Sequence, residues 1–393
     1  QTCALPIFYN RLMKLKNLFA GMILCLAVAS CIQDEALNVE AAIDGCSGND
    51  IQQCLIDPNE FTVQLYVSRA ADPSKININF DLPAGASIAP VKQLAEDGVN
   101  TYNFKDENNP REFKVTSEDS DFSATYTIRL WQTEMPITYN FETLSSDNPY
   151  HKFTEENPSA GAIIRRLELA SGNPGFELTK MAKTPEDYPT VQVNGGVDGG
   201  KCVKLETKNT GSFGSMVNMH IAAGNLFIGS FEVGQALSDA MKATHFGFPF
   251  FYYPLELKGS YKYKAGPIFS SKGVPVEGKK DKCDIYGVLY ETDANVQFLD
   301  GSTSLNSPNI VALARNLEKL PETDSWTEFS FKFEPKNGKS IDSDKLEKGI
   351  YKLAIVFSSS VDGAKFEGAV GSTLYVDKVK IVQTSDPNEY PAN

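Results

Sequence analysis

Two stretches near the carboxyl end, residues 351–357 and 373–381, constrain the fold more than any other part of the chain. Both are rich in Val, Ile, Phe and Tyr and contain no proline, which is typical of central β-strands. Strict alternation in the second stretch places Asp377 on one face with Val379 and Ile381. Because an unpaired buried carboxylate is costly, the pattern predicts either that this face is exposed to water or that a donor group or a cation satisfies Asp377.

Short strand-like runs separated by turn residues recur along the whole chain. In the first half they lie at 61–67, 76–80, 102–104, 112–115 and 124–130. After Met135-Pro136 they lie at 137–142, 176–178, 202–206, 226–231, 246–253, 259–264, 284–291, 310–313, 326–333, 351–357 and 373–382, with one short helix near 233–242. This spacing predicts an all-β protein. We expect an N-terminal Ig-like β-sandwich at 59–134, followed by a larger β-jelly-roll sandwich at 135–383.

The first 30 residues predict a targeting segment rather than part of the fold. Residues 1–12 begin with QTCALPI, which resembles a translated sequencing adapter, so we expect the native start at Met13. Two lysines, an apolar run at 18–28 and then Cys31 predict a lipoprotein signal peptide at 13–30 that ends before a lipidated Cys31. An ordinary signal peptide and a buried helix are the alternatives. Acidic residues just after Cys31 favour the outer face of the outer membrane.

The remaining cysteines fit an oxidising compartment. Residues 31–58 read as a polar tether, in which Cys46 and Cys54 are close enough to form a disulfide. Zinc is the alternative, although no CxxC pair is present. Cys202 and Cys283 lie in strand-like sequence and are expected to be buried free thiols. The polar residues 384–393 predict a disordered tail.

Charge and missing motifs exclude several functional classes. The formal net charge of −13 at pH 7 argues against nucleic acid or anionic lipid as an electrostatic partner. The sequence contains no GxSxG elbow, no P-loop and no dinucleotide fingerprint. Nucleophilic hydrolysis of that type and nucleotide binding are therefore not predicted.

Several aromatic-rich motifs of the second half resemble one known family. They are FGFPFFYYP at 246–254, GSYKYK at 259–264, DKCDIYGVLYET at 281–292, SSS at 358–360, FEGAVGS at 366–372 and LYVD at 374–377. Together they resemble the putative carbohydrate metabolism domain family over about residues 136–383. The resemblance implies a jelly roll that follows an Ig-like domain on a lipoprotein, and a role connected with carbohydrate.

Aromatic side chains are the candidates for sugar contacts, because the apolar faces of sugar rings pack on aromatic rings. The candidate ligand-binding residues are Tyr252, Tyr253, Tyr261, Tyr263 and Trp326. Packing in the hydrophobic core is the alternative for each of them.

Carboxylates near these aromatic strands are the candidates for catalysis. Glycoside hydrolysis needs two acids about 5–5.5 Å or about 6.5–9.5 Å apart. The candidates are Glu256, Asp284, Glu291 and Asp293. The sequence does not pair them, and solvated surface acids are the alternative in so acidic a chain.

A structural calcium is the third candidate site. Jelly-roll sugar-binding modules often hold calcium near their first and last strands, where Glu142 and Asp377 are predicted to lie. The alternative is that Asp377 accepts a hydrogen bond from a backbone N–H or a lysine. No other cofactor is expected.

Together these features predict a surface-anchored outer-membrane lipoprotein whose jelly roll binds a polysaccharide or oligosaccharide without catalysis. A glycoside hydrolase that uses a carboxylate pair is one alternative. An adhesion or assembly subunit is the other.

Overall fold

The structure is a computed structural model that describes residues 37–160, 163–236 and 238–390. Within these ranges β-strands dominate and every helix is short, which confirms the predicted all-β class. Among the described helices none is long and apolar enough to cross a membrane. The predictions for Met13, the signal peptide and Cys31 lie outside the described residues.

One eight-stranded sheet, which we call the spanning sheet, begins in the N-terminal half and continues past residue 135. Its strands are Ile51–Asp57, Thr62–Ser68, Ser87–Pro90, Arg111–Thr116, Ser123–Glu134, Leu144–Ser146, Lys152–Ala160 and Ile163–Glu168. Two small ladders pair Gly45–Ser47 with Asn79–Asp81 and Ile76–Asn77 with Thr101–Tyr102. Apolar residues between Ile43 and Leu130 form the core of this half.

The spanning sheet crosses the predicted domain boundary. Thr133 and Glu134 pair in parallel with Ile164 and Arg165. A separate core begins at Met135 and continues to Ile381. Two cores therefore lie on either side of the boundary while one sheet joins them.

The second half contains two facing sheets. The six-stranded sheet consists of Thr138–Tyr139, Thr190–Asn194, Lys201–Glu206, Tyr253–Lys264, Thr323–Lys332 and Thr373–Thr384. The seven-stranded sheet consists of Ala170–Ser171, Asn225–Phe227, Phe248–Pro249, Asp284–Glu291, Ile310–Arg315, Glu334–Pro335 and Tyr351–Ser358. Alternate residues of both sheets, such as Leu257 and Phe329 on one and Leu353 and Ile355 on the other, fill the core between them.

The seven-stranded sheet is also covered on its outer face, which explains its nearly continuous hydrophobic strands. Tyr286, Val288 and Tyr290 point away from the inter-sheet core and pack against Phe246 and Leu299. The segments that cover this face come from residues 229–246 and 292–305. They leave space above part of the sheet, and that space is the candidate functional site.

Short elements complete the described chain. Small ladders join Lys208–Asn209 to Ile221–Ala222, Gly229–Phe231 to Thr244–Phe246, and Phe269–Ser271 to Val274–Pro275 and Gly368–Ala369. The α-helices described are Asn173–Glu177, Gly211–Met216, Val233–Ala236 and Ser343–Glu347. The 3-10 helices described are Asp106–Asn108, Pro185–Asp187, Ala240–Ala243, Leu317–Lys319, Gly363–Lys365 and Pro387–Glu389. Where one helix was predicted near 233–242, the structure has two separate short turns.

Three predictions about local structure are wrong. The strand predicted at 176–178 is the end of helix Asn173–Glu177, which Pro174 starts and which buries Phe176. The predicted tether contains strands Gly45–Ser47 and Ile51–Asp57; the latter is half-buried on both faces, so its sequence shows no alternation. The predicted tail packs Tyr390 against Tyr253, with 5.7 Å between ring centres.

The cysteine predictions agree with the structure. Cys46 and Cys54 form a disulfide with a Cα–Cα distance of 5.9 Å. Cys202 and Cys283 are buried free thiols. The disulfide ties strand Gly45–Ser47 to strand Ile51–Asp57, and so it holds the start of the described chain on the first sandwich.

Candidate functional site

A cavity of about 390 Å³ lies on the outer face of the seven-stranded sheet. Asp284, Arg315 and Ser358 lie at its floor on neighbouring strands, and Asp284 pairs directly with Ser358. Seven aromatic rings line its walls: Phe176, Phe213, Phe227, Phe231, Phe246, Tyr286 and Phe366. We call this space the aromatic cavity. Its size and its mixture of aromatic and polar groups suit a small organic ligand.

An ion pair provides the main polar group of the aromatic cavity. Arg315 donates from Nε to Asp284 Oδ1 at 3.0 Å and from Nη2 to Oδ2 at 2.7 Å. The Asp284 side chain is 5% exposed and that of Arg315 is 22% exposed. Burial raises the pKa of Asp284, and the hydrogen bonds from Arg315 oppose that shift. The pair is therefore held in one orientation while its guanidinium remains accessible.

The segment 358–366 forms one side of the aromatic cavity. Asp362 lies between Lys279 Nζ at 2.9 Å and Lys365 Nζ at 3.2 Å. Burial alone would raise the pKa of Asp362, but the hydrogen bonds from both lysines outweigh it and lower that pKa. Phe366 directly follows the 3-10 turn in the left-handed region, with φ of 57°. A non-glycine residue at such a φ is uncommon, and here it places a phenyl ring in the cavity wall.

A buried acid anchors this segment from below. Asp281 is 2% exposed. Its Oδ2 accepts hydrogen bonds from Ser360 Oγ at 2.6 Å, Ser372 Oγ at 2.7 Å and Ala369 N at 2.7 Å. Burial raises the pKa of Asp281, and these donors oppose the shift. Ser360 and Ser372 therefore hold the cavity wall on the rest of the jelly roll through their hydrogen bonds to Asp281.

The predicted ligand-binding tyrosines lie elsewhere. Tyr253, Tyr261 and Tyr263 are buried in the inter-sheet core, which was the alternative for these residues. Tyr252 is half-buried at the junction of the two halves, where its hydroxyl donates to Glu134 Oε2 at 3.2 Å. Glu134 there also pairs with Arg69. None of these four rings lines the aromatic cavity.

Trp326 lies on the outer face of the six-stranded sheet, away from the aromatic cavity. Its Nε1 donates to the carbonyl of Gly195 at 3.1 Å. Lys262 Nζ lies 4.5 Å from the Trp326 ring centre and 4.8 Å from that of Tyr375. The half-exposed indole thus packs in a cation–π stack with a lysine and does not present a bare platform.

Of the four predicted catalytic acids, the structure places Asp284 in the aromatic cavity. Glu256 lies on the six-stranded sheet beside Lys258 at 2.7 Å, and Glu291 pairs with Lys345 at 2.7 Å. Asp293 accepts backbone N–H groups in an exposed turn. Asp284 and Glu291 are seven positions apart on one strand, or roughly 23 Å. That distance is far too long for a hydrolase pair.

Arg315, Asp362 and the aromatic residues of the cavity were not nominated from the sequence, although Phe246, Tyr286 and Phe366 lie in motifs that carry the family resemblance. Asp362 lies between two of the motifs that carry the family resemblance, and Arg315 lies two residues beyond the strand predicted at 310–313. Neither position has a local signal, because the contact with the cavity arises only from the pairing of distant strands.

Backbone N–H groups occupy the carboxylate oxygens of Glu142 and Asp377, the two predicted calcium ligands. Asp377 Oδ2 accepts from Val197 N and Oδ1 from Lys378 N, both at 2.7 Å. Both oxygens of Glu142 accept from Lys201 N, at 3.1 and 3.2 Å. Among the described residues no group of three or more His, Cys, Asp or Glu is arranged to hold a metal. This geometry fits the alternative, in which backbone N–H groups satisfy Asp377.

The face on which Asp377 lies was also predicted incorrectly. Leu374 and Val376 point into the core, and so do Val379 and Ile381, so the alternation shifts by one residue between them. Lys378 has a φ of 51°, and the pairing with strand Tyr253–Lys264 shifts register there. This bulge turns Asp377 away from the core and toward the loop that contains Val197.

The site lies on a two-sheet β-sandwich and combines aromatic walls with a fixed ion pair. These are features that proteins use to contact sugars. The chain belongs to the family described as putative carbohydrate metabolism domain, whose model matches residues 140–382. The family resemblance and the fold class predicted from the sequence are therefore confirmed.

Two solved structures are similar to this chain. One is a putative glycoside hydrolase from Bacteroides thetaiotaomicron, with 41% identity, a TM-score of 0.72, and coverage of 90% of this chain and 100% of that one. The other is a putative glycoside hydrolase from Bacteroides vulgatus, with 42% identity, a TM-score of 0.59, and coverage of 64% of this chain and 99% of that one. No curated protein matches the chain.

Proposed function

We propose that this protein binds carbohydrate in the aromatic cavity. The observation that carries the proposal is the bidentate Asp284–Arg315 pair set among aromatic rings in a space of about 390 Å³. The C–H faces of a sugar ring pack on aromatic rings, and its hydroxyl groups exchange hydrogen bonds with fixed polar groups. Membership in a carbohydrate-related family supports the same assignment.

The free hydrogen-bonding capacity of Arg315 makes it the group that would read sugar hydroxyls. Among the described residues Arg315 hydrogen-bonds Asp284 alone. Its Nη1 group therefore has donors left for a ligand. The Tyr286 hydroxyl is held by Ser304 at 3.1 Å, which fixes that ring against the floor.

We extend the proposal to the cellular setting that the sequence predicts. A signal peptide that ends before Cys31 would anchor the protein by lipid on the outer face of the outer membrane. The jelly roll would then meet polysaccharide or oligosaccharide outside the cell. Radiolabelled palmitate incorporation that disappears in Cys31→Ala tests the anchor, and incorporation that persists in the variant would refute it.

A glycan array with the full chain, followed by calorimetry on each hit, tests carbohydrate binding. We expect Phe213→Ala and Phe366→Ala to weaken binding about tenfold or more, because each removes one wall of the aromatic cavity. Phe122→Ala is the matched control, since this phenylalanine is 56% exposed in the N-terminal half. An absence of binding to every glycan, or equal losses in all three variants, would refute the proposal.

Glycoside hydrolysis is the second candidate, and one observation favours it. Asp284 and Asp362 both line the aromatic cavity, so two carboxyl groups belong to one site. A pair of carboxyl groups is what glycoside hydrolysis requires. Product analysis on every bound oligosaccharide tests it. Cleavage that Asp284→Asn and Asp362→Asn both abolish would support hydrolysis, and binding without cleavage would refute it.

A further inference from the structure

A second cavity, of about 490 Å³, lies at the junction of the two halves of the chain. Gln53 and Tyr66 of the spanning sheet line one side, together with Arg166 from its later strand. His245 and Lys352 of the jelly roll line the other side. We call this space the junction groove.

Lys352 is the most unusual group in the junction groove. Its Nζ donates to the carbonyl of Gln297 at 2.9 Å, and no carboxylate pairs with it among residues 37–160, 163–236 and 238–390. Burial lowers its pKa. A partly buried ammonium that has only a neutral partner is costly, and an anionic group brought by a ligand would relieve that cost.

Two of the other three charged side chains that line the junction groove are also cationic. Lys152 and Arg166 line it with Lys352, whereas the carboxylate that lines it is Glu168. The guanidinium carbon of Arg166 lies 4.7 Å from the Tyr66 ring centre, and the side chain also donates to Gln53 Oε1 at 3.3 Å and lies 3.8 Å from Glu156. Three cations and one acid meet here in a chain whose formal net charge is −13.

An aromatic pair beside these charges can receive a sugar ring. His245 stacks on Phe298 with 3.6 Å between ring centres, and the Phe298 side chain is 41% exposed. The Nε2 atom of His245 is buried and has no hydrogen-bond partner among the described residues. Burial lowers the pKa of His245, so its ring is neutral and Nε2 is available for one hydrogen bond to a ligand.

The junction groove and the aromatic cavity are neighbours. The Phe231 ring contributes to the lining of both spaces. Strand Tyr351–Ser358 also connects them on one face of the seven-stranded sheet, because Lys352 lies in the groove and Ser358 in the cavity. These positions are six residues apart, or roughly 20 Å. A short oligosaccharide can span that distance.

We propose that the junction groove binds an anionic sugar unit, one that carries a carboxylate or a sulfate, in the same oligosaccharide that the aromatic cavity holds. The inference rests on the proposed carbohydrate function and adds its ligand class. Lys352 and Arg166 would contact the anionic group, and the His245–Phe298 pair would pack on the sugar ring.

Calorimetry on the full chain with charged and neutral versions of one oligosaccharide tests this inference. The probes are tetragalacturonate with its fully methyl-esterified form, and a carrageenan tetrasaccharide with its desulfated form. We expect at least one charged probe to bind about tenfold more tightly than its neutral form. The pair that shows the preference distinguishes carboxylate from sulfate.

Two groove variants and one control complete the experiment. Lys352→Met and Arg166→Gln should each reduce the preference for the charged probe about tenfold and leave affinity for the neutral form unchanged. Lys380→Met is the matched control, because this lysine is exposed on the six-stranded sheet. Equal affinity for charged and neutral probes, or a preference that persists in both groove variants, would overturn the inference alone. Failure of all four probes to bind, when the array shows another glycan bound, would also overturn the inference alone, and failure on the whole array would overturn the proposed function with it.

Discussion

Two aspartate–arginine pairs in this protein are both bidentate and have different surroundings. Arg111 donates from Nη1 and Nη2 to the two oxygens of Asp97, each at 2.7 Å, and both side chains are almost fully buried. Arg315 donates to the two oxygens of Asp284 from Nε and Nη2, and this pair lines the aromatic cavity. The two arginines differ in what their remaining N–H groups bind. Arg111 also donates to the carbonyls of Asn103 and Lys92, at 3.1 and 2.9 Å, whereas among the described residues Arg315 hydrogen-bonds Asp284 alone.

The comparison separates a structural ion pair from one that is available to a ligand. The hydrogen bond from Arg111 lowers the pKa of Asp97 to about 2, while burial raises the pKa of Asp284. The Arg111 guanidinium also lies within 5.8 Å of three aromatic ring centres in the N-terminal core. A pair that is saturated and covered stabilises its own domain. A pair with spare donors beside a cavity can exchange them with a substrate.

The largest expected effect is on the saturated pair. Arg111→Met leaves Asp97 buried without its partner, so we expect the free energy of unfolding to fall by about 3–5 kcal/mol. Urea unfolding measured at pH 7 checks this. Arg129→Met is the control, because Arg129 packs over Trp131 with 5.5 Å to the ring centre and has no ion-pair partner among the described residues. Similar losses in both variants would show that the Asp97 pair is not special.

A buried acid without a cation should show the opposite dependence on pH. Glu155 is 6% exposed and accepts backbone N–H groups from Asn140 and Phe141, at 2.9 and 2.5 Å. Burial raises its pKa from 4.5 to about 7. The folded state therefore binds more protons between these values. Its contribution is fully present below pH 4.5 and is lost as the pH rises through 7, by about 3 kcal/mol.

Glu155→Gln tests this pH dependence, because the amide keeps an acceptor oxygen for both N–H groups and cannot ionise. We expect urea unfolding of the variant to show a flatter free energy between pH 4.5 and 7.5 than the unmodified protein shows. Asp97→Asn provides the contrast, since its effect should instead appear below pH 4, where the lowered pKa of Asp97 operates. An unchanged profile in Glu155→Gln would mean that Glu155 is ionised throughout.

A smaller effect on stability and a clear effect on binding are expected for the pair in the cavity. Arg315→Met should reduce the free energy of unfolding by about 1–3 kcal/mol, because Asp284 loses its donors but retains access to water in the cavity. Oligosaccharide affinity should fall about tenfold. Calorimetry checks both halves of the comparison, since Arg111→Met should leave affinity unchanged at temperatures where it is folded. Equal affinity in all three proteins would remove Arg315 from the binding site.

The smallest expected effect concerns calcium. Asp377 and Glu142 are satisfied by backbone N–H groups of the 197–201 loop, so added calcium gains no ready-made set of oxygen ligands. We expect the thermal unfolding midpoint of the chelator-treated protein to stay within about 1 °C when millimolar calcium is added. A clear rise in the unfolding midpoint that Asp377→Asn abolishes would show that calcium binds at Asp377.

Hydrophobic alternation was a good guide to most strands and a poor guide to individual side chains. Strand Asp284–Glu291 has the predicted limits, and strand Tyr351–Ser358 extends the predicted run by one residue. The helix at Asn173–Glu177 was missed because a short run with one buried phenylalanine has no clear period. Asp377 was assigned to the wrong face because a single bulge at Lys378 reverses the alternation, and a bulge has no reliable sequence signal.

The residues of the candidate site were also predicted only in part. Asp284 could be nominated because a carboxylate at the start of an aromatic strand stands out in the sequence. Its partner Arg315 and the second cavity acid Asp362 could not, because each comes from a distant segment. Tyr261 and Tyr263 were predicted to bind sugar, yet both point into the core between the six-stranded and seven-stranded sheets.

By itself the sequence determined the class of fold, the family and the cysteine chemistry, since these depend on local composition, spacing and motifs. Tertiary structure alone decided which acid faces the aromatic cavity, which arginine keeps free donors and where Lys352 meets Arg166. These features depend on strand register and on the packing of two halves of the chain. Both are set by contacts between residues far apart in sequence, so no local pattern encodes them.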